Sequence, residues 1–169
     1  MADATDLPKA KDPFEKMVAI SIAVMAVFLS YISMKGDNGK TDSIVATNKA
    51  ADEYAFFQAK SLKRHMAENE ADILKYLANT SEAAKRREEL AADAVRYKEE
   101  GEKEKKKAEQ YEKDAQVGSD MNDRADLGGL FLQIAIVIAS VAILSRQKLL
   151  WYASMILGII GTVKFFFLH

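Results

Sequence analysis

The chain has 169 residues, of which 49% are apolar and 29% charged, with a net charge of -1. It contains no cysteine, which excludes disulfides, thiolate metal sites and cysteine nucleophiles. The near-neutral balance argues against general nucleic-acid binding. The only prolines are Pro8 and Pro13, so proline breaks no helix farther along the chain.

In chain order, the first feature is a tail over residues 1–16 that carries Lys9, Lys11 and Lys16. An uncharged run at 17–34, bounded by Lys16 and Lys35, then predicts a membrane-spanning helix over 17–35. Its length and the absence of a small-residue cleavage site after it mark it as an uncleaved anchor rather than a signal peptide.

Residues 36–126 hold 17 basic and 21 acidic side chains, a net charge of -4. Asp37-Asn38-Gly39 reads as a turn, and Thr41-Asp42-Ser43 as the cap of a new helix. Ala51, Ala55, Leu62, Met66, Ile73 and Leu77, with Ile44 before them, follow an eleven-residue repeat. That period favours a nearly straight or slightly right-handed helical seam. Tyr54, Phe56 and Phe57 add an aromatic patch. Asn79-Thr80-Ser81-Glu82 interrupts the pattern as a helix end and a new cap. Beyond it the period is seven: Ala83, Leu90, Tyr97, Glu104 and Tyr111 share one position, and Ala94, Gly101, Ala108 and Ala115 the position four later. Large and small residues then alternate, which suits close antiparallel pairing. The expectation is a helical hairpin with arms of about 42–78 and 81–115.

Two further spans follow, at 127–144 and 149–168, joined by a loop at 145–148 that contains Arg146 and Lys148. A short basic loop belongs in the cytoplasm. This places the N-terminus in the cytoplasm and 36–126 outside, in a bacterial inner membrane. The predicted fold is an all-α membrane protein: three transmembrane helices with a long antiparallel, coiled-coil-like hairpin between the first two. Ala19 and Ala23, Ala135 and Ala139, and Ser154, Gly158 and Thr162 have the small-xxx-small spacing that lets membrane helices approach closely. Trp151 and Tyr152 suit an interfacial belt. Lys164 lies close enough to the end of its span to snorkel.

No catalytic, cofactor or metal site emerges. His65 with Glu68, Asn69 and Asp72 has helical spacing, but it lacks the second histidine of a carboxylate-bridged site and reads as a solvated face. The lysine and arginine runs at 85–87 and 103–107 are interleaved with glutamates, a pattern of i,i+4 pairs. Polar groups in the spans are too few to line a conduction path within one protomer.

The stretch Asn48-KAADEYAFFQAKSLK-Arg64, the QIAIVIASVAIL span and the basic loop into LLWYASMILGIIG resemble the bacterial membrane-protein family catalogued as domain of unknown function 4337. The similarity runs from the first span to the third. It implies three spans, a helical insert and nothing catalytic, and draws attention to Asn48, Tyr54, Phe56, Phe57, Gln58, Lys60 and Ser61.

The functional expectation is a non-enzymatic membrane scaffold or spacer. Its partners are the lipid bilayer and further copies of itself, or a membrane-protein partner, met through Ala51–Leu77 and the aromatics. The alternatives are an accessory subunit of a larger membrane enzyme or transporter, and a homo-oligomeric pore.

Overall fold

The computed structural model describes residues 12–77 and 80–167. Three helices follow in order: α1 (Pro13–Leu77), α2 (Ser81–Ser145) and α3 (Lys148–Phe167). α1 and α2 pack antiparallel, and each of the three helices has a stretch long and apolar enough to cross a membrane. Lys9, Lys11, Asn79 and His169 lie outside the described residues, as does the side chain of Leu77.

The helix starts follow local chemistry. Asp12 caps α1, its Oδ1 accepting from the Phe14 N–H at 3.0 Å, and Pro13 occupies the first helical position, where no N–H is needed. Thr80 caps α2: the Ala83 N–H donates to Thr80 Oγ1 at 3.2 Å. Glu82 in the first turn is held below the usual carboxylate range by the backbone N–H and the Ser81 and Thr80 hydroxyls. Between α2 and α3 the chain reverses through Arg146, whose φ of 53° is left-handed. Its guanidinium lies 3.5 Å from Glu15.

The chain divides into two compact units, Met1–Lys40 with Gly118–His169, and Thr41–Val117. The expected turn at Asp37-Asn38-Gly39 and the cap at Thr41-Asp42-Ser43 are not present as such, because α1 runs through both as unbroken helix. The glycines there serve close approach. A Cβ on Gly36 would stand 2.6 Å from the Ala125 Cβ, and one on Gly39 would stand 2.8 Å from the Gly118 carbonyl oxygen. Both α1 and α2 contribute residues to each of the two units.

In the apolar unit the core takes Val18, Met25 and Ile32 from α1, Leu132, Ala135 and Ala139 from α2, and Phe165 from α3. The buried positions of α3 are Ser154, Gly158, Gly161 and Phe165, spaced four, three and four. Ala135 and Ala139 are fully buried. Ala19 and Ala23 are exposed. Thr162 is half-buried and donates to the Gly158 carbonyl at 2.9 Å. Trp151 belongs to the core as well as to the helix end: its indole N–H donates to Ser21 Oγ at 3.3 Å, and its ring meets Phe14 edge-on at 6.4 Å.

Candidate interaction surface

The charged unit is a two-helix seam of unusual composition. Along α2 the seam follows Ala83, Arg87, Leu90, Ala94, Tyr97, Gly101, Glu104, Ala108, Tyr111 and Ala115, all buried or half-buried, with half-buried Asp93, Glu100 and Lys105 beside it. The seam positions alternate by four and three, a heptad. The seven-residue rhythm of large and small residues is thus the inward face of α2.

In α1 the face that meets α2 is not the eleven-residue row. Its inward positions in this unit are Ser43, Ala46, Ala50, Glu53, Phe57, Lys60, Arg64, Ala67, Ala71 and Leu74, again spaced by four and three. The eleven-residue stripe is the opposite face. Ala51 and Ala55 are exposed, and so are Ile44, Leu62, Met66 and Ile73, at 54%, 61%, 62% and 55%. The aromatic patch is also divided. Phe56 points outward, whereas Tyr54 and Phe57 are half-buried.

The seam is held by few large apolar contacts. Leu90 packs with Ala67 and Ala94, flanked by Ala71 and Leu74. The rest is polar. Lys60 donates to Glu100, and Arg86 reaches Glu70 at 3.2 Å. Glu100 is held below the usual carboxylate range, first by the hydrogen bond from Lys60 and then by its charge. The Tyr97 ring has Arg96 at 5.1 Å, Lys60 at 5.7 Å and Lys63 at 6.0 Å from its centroid. Lys49 lies 5.5 Å from the Tyr111 centroid.

One cluster within the seam is electrostatically loaded. Glu53 and Glu104 stand together, and Lys107 Nζ lies 2.7 Å from Glu104 Oε2 and 3.9 Å from Glu53 Oε2. Glu104 and desolvation raise Glu53, while Lys107 and Glu53 lower Glu104. Two carboxyls this close cannot readily both ionise. A cleft of about 170 Å³ opens beside Gly101, lined by Phe57, Ser61, Arg64, Tyr97, Lys98 and Glu102.

His65 Nδ1 meets Glu68 at 3.2 Å and its Nε2 meets Arg64. Among the described residues no group of three or more His, Asp or Glu could hold a metal ion.

The model of the DUF4337 family, a domain of unknown function, matches residues 14–167. The chain belongs to the DUF4337 family. No curated protein and no solved structure matches it. For this DUF4337 protein the aromatic segment Tyr54–Phe57 is divided between the seam and the outside. Gln58, next to it, is exposed, and Lys60 and Ser61 are half-buried.

Hydrophobic periodicity follows the largest apolar residues and so marks the outward row of α1 rather than the face that meets α2. The inward positions here are mostly alanine or charged. A usable signal existed: the four-three alternation of small residues at Ala46, Ala50, Ala67 and Ala71 faces the same alternation in α2.

Proposed function

We propose that this DUF4337 protein is a non-enzymatic, membrane-anchored helical scaffold that self-associates through the outer face of α1. The observation that carries this reading is the outward row of Ile44, Leu62, Met66 and Ile73. These residues lie on a helix whose other face is already paired with α2. Contiguous exposed apolar residues outside a membrane mark interaction sites, and self-association is the common solution for symmetric assemblies.

The reading includes the topology. The three apolar stretches cross a bacterial inner membrane, the N-terminus and the Arg146–Lys148 turn are cytoplasmic, and the segment from 36 to 126 lies outside. Support comes from the two cations of that short turn. Cysteines introduced at exposed Tyr76 and Gln147 test it in intact cells, since the natural chain has none. An impermeant maleimide should label residue 76 and spare residue 147. The reverse pattern would overturn the orientation.

The scaffold itself is tested by native mass in mild detergent. The expected result is a multiple of the 18.8 kDa chain that collapses to one copy when Leu62 and Met66 are both changed to Ser. A monomer in the unaltered protein would overturn it. A second reading, an accessory subunit docked through its spans, draws on an apolar groove of about 280 Å³. It is lined by Val24, Met25 and Phe28 of α1 and by Met155, Gly158, Ile159 and Val163 of α3. A mass requiring other polypeptides would favour that reading.

A further inference from the structure

In the apolar unit α1 and α3 leave an open groove of about 280 Å³ between them. Val24, Phe28, Ile159 and Val163 form its exposed walls, and buried Leu132 and Gly158 lie at its floor. The Thr162 hydroxyl also lines it, but that hydroxyl donates to the Gly158 carbonyl at 2.9 Å. The groove therefore offers an occupant almost nothing but hydrocarbon.

Both ends are marked by aromatic contacts between the same two helices. Near the start of α3, the Trp151 indole N–H donates to Ser21 Oγ. Near its end, the Phe166 ring stacks on Tyr31, with centroids 6.4 Å apart and planes 11° from parallel. Beyond that stack, exposed Lys35 holds its ammonium 6.0 Å from the Tyr31 centroid. Among the described residues Lys35 pairs with no carboxylate. Val24, Phe28, Tyr31 and Lys35 follow one another by four, three and four, so all four lie on one stripe of α1. From Val24 to Lys35 the stripe runs about 16 Å. That is half of a hydrocarbon core roughly 30 Å thick.

We propose that the groove holds an acyl chain of a phospholipid whose phosphate is gripped by Lys35. The chain would pass the Tyr31–Phe166 stack and end beside Val24, one leaflet deep. Its tail meets an apolar trough, and its anionic group meets a cation with no acidic partner, a charge-assisted contact of the kind lysine makes with phosphate. A helix of a partner protein, about 10 Å across, is too thick to enter a groove of this size and could only cover its rim. The inference goes beyond the scaffold reading. It rests only on the apolar stretches crossing a bilayer, and reversing the orientation would change the leaflet and nothing else.

The test is native mass spectrometry of the full-length protein, stripped of lipid in mild detergent and titrated with dioleoyl phosphatidylglycerol. The expected result is one tightly held lipid per copy. Lys35→Glu should weaken that first addition roughly fivefold or more, the effect of one basic residue on an anionic headgroup. Val163→Trp, which fills the groove from an exposed position, should abolish it. Val137→Trp, as bulky but on an exposed position of α2 outside the groove, should leave it unchanged. Circular dichroism should show the same helix content in all three variants. Dioleoyl glycerol, with the same chains and no phosphate, should bind the unaltered protein no better than the phospholipid binds Lys35→Glu.

A first lipid that survives Val163→Trp would lie elsewhere and overturn the groove. Equal binding of dioleoyl glycerol, or of the phospholipid to Lys35→Glu, would overturn the phosphate grip. A polypeptide that copurifies and is released by Val163→Trp would give the groove to a protein partner and overturn the lipid. The scaffold reading fails separately in the same spectrum: a single copy carrying one lipid would sink self-association and leave this site standing.

Discussion

Gly128 of α2 and Gly161 of α3 meet backbone to backbone. A Cβ on Gly128 would stand 2.9 Å from the Gly161 carbonyl oxygen, and one on Gly161 would stand 2.7 Å from the Gly128 carbonyl oxygen. No flexible side chain can yield at either point. Membrane helices associate through such close packing because lipid supplies no hydrophobic drive between them. Replacing Gly161 by Val should lower stability by about 1–3 kcal/mol through overpacking, read as thermal unfolding in detergent. Gly129→Ala is the control. Its new methyl would meet only Leu29 Cδ1 at 3.5 Å, an ordinary contact, and should be tolerated. Equal tolerance at both positions would contradict the contact.

The two units make opposite use of glycine. Gly39 lies under the Gly118 carbonyl and the Met121 side chain, so Gly39→Ala should destabilise. Gly101 faces the Phe57 ring edge at 3.4 Å and the Lys60 Cβ at 3.5 Å, with room for a methyl group. Gly101→Ala should therefore stabilise the hairpin by about 0.5–1 kcal/mol, the helix-propensity difference. Circular dichroism melting of the two variants checks the sign of each.

Leu90 and Leu62 test which face of each helix is inside. Leu90 is buried among Ala67, Ala71, Leu74 and Ala94. Its truncation to Ala should cost about 2–5 kcal/mol. Leu62→Ala on the outer face should shift the unfolding free energy of the separated chain by no more than about 0.5 kcal/mol. Comparable losses would mean that the seam is misplaced.

The Glu53–Glu104 pair gives a pH dependence with two signs. Glu53 is raised above its usual value of 4.5, so its contribution is present below that value and is lost as pH rises through the folded one. Glu104 is lowered from 4.5, so its contribution is present above that value and is lost as pH falls through the folded one. The pair is most favourable when it holds one proton. Glu53→Gln replaces that proton with an amide donor toward Glu104. The variant should melt higher than the natural protein at pH 8, and its advantage should shrink as the pH falls toward 5. An advantage that grows in acid would contradict the shared proton.

Much of the architecture was legible in the residues. The apolar blocks, the helix break between Leu77 and Ser81 and the inward face of α2 all follow from patterns strong enough to read alone. The turn at Asp37–Gly39 misled because Gly36 and Gly39 carry the same letters whether they bend a chain or admit a neighbour. Their role is set by Ala125 and Gly118 across the interface.

The sequence by itself determined which segments are helical and which of them can enter a membrane, because periodicity and apolar length are properties of one segment. Only the tertiary structure decided which face of α1 turns inward. Glu53, Lys60 and Arg64 are poor core residues in isolation and become acceptable ones only when Glu104, Glu100 and the Tyr97 cleft stand opposite. Burial of a charge depends on its partner, and that partner lies some forty to fifty residues away in the chain for Lys60 and Glu53.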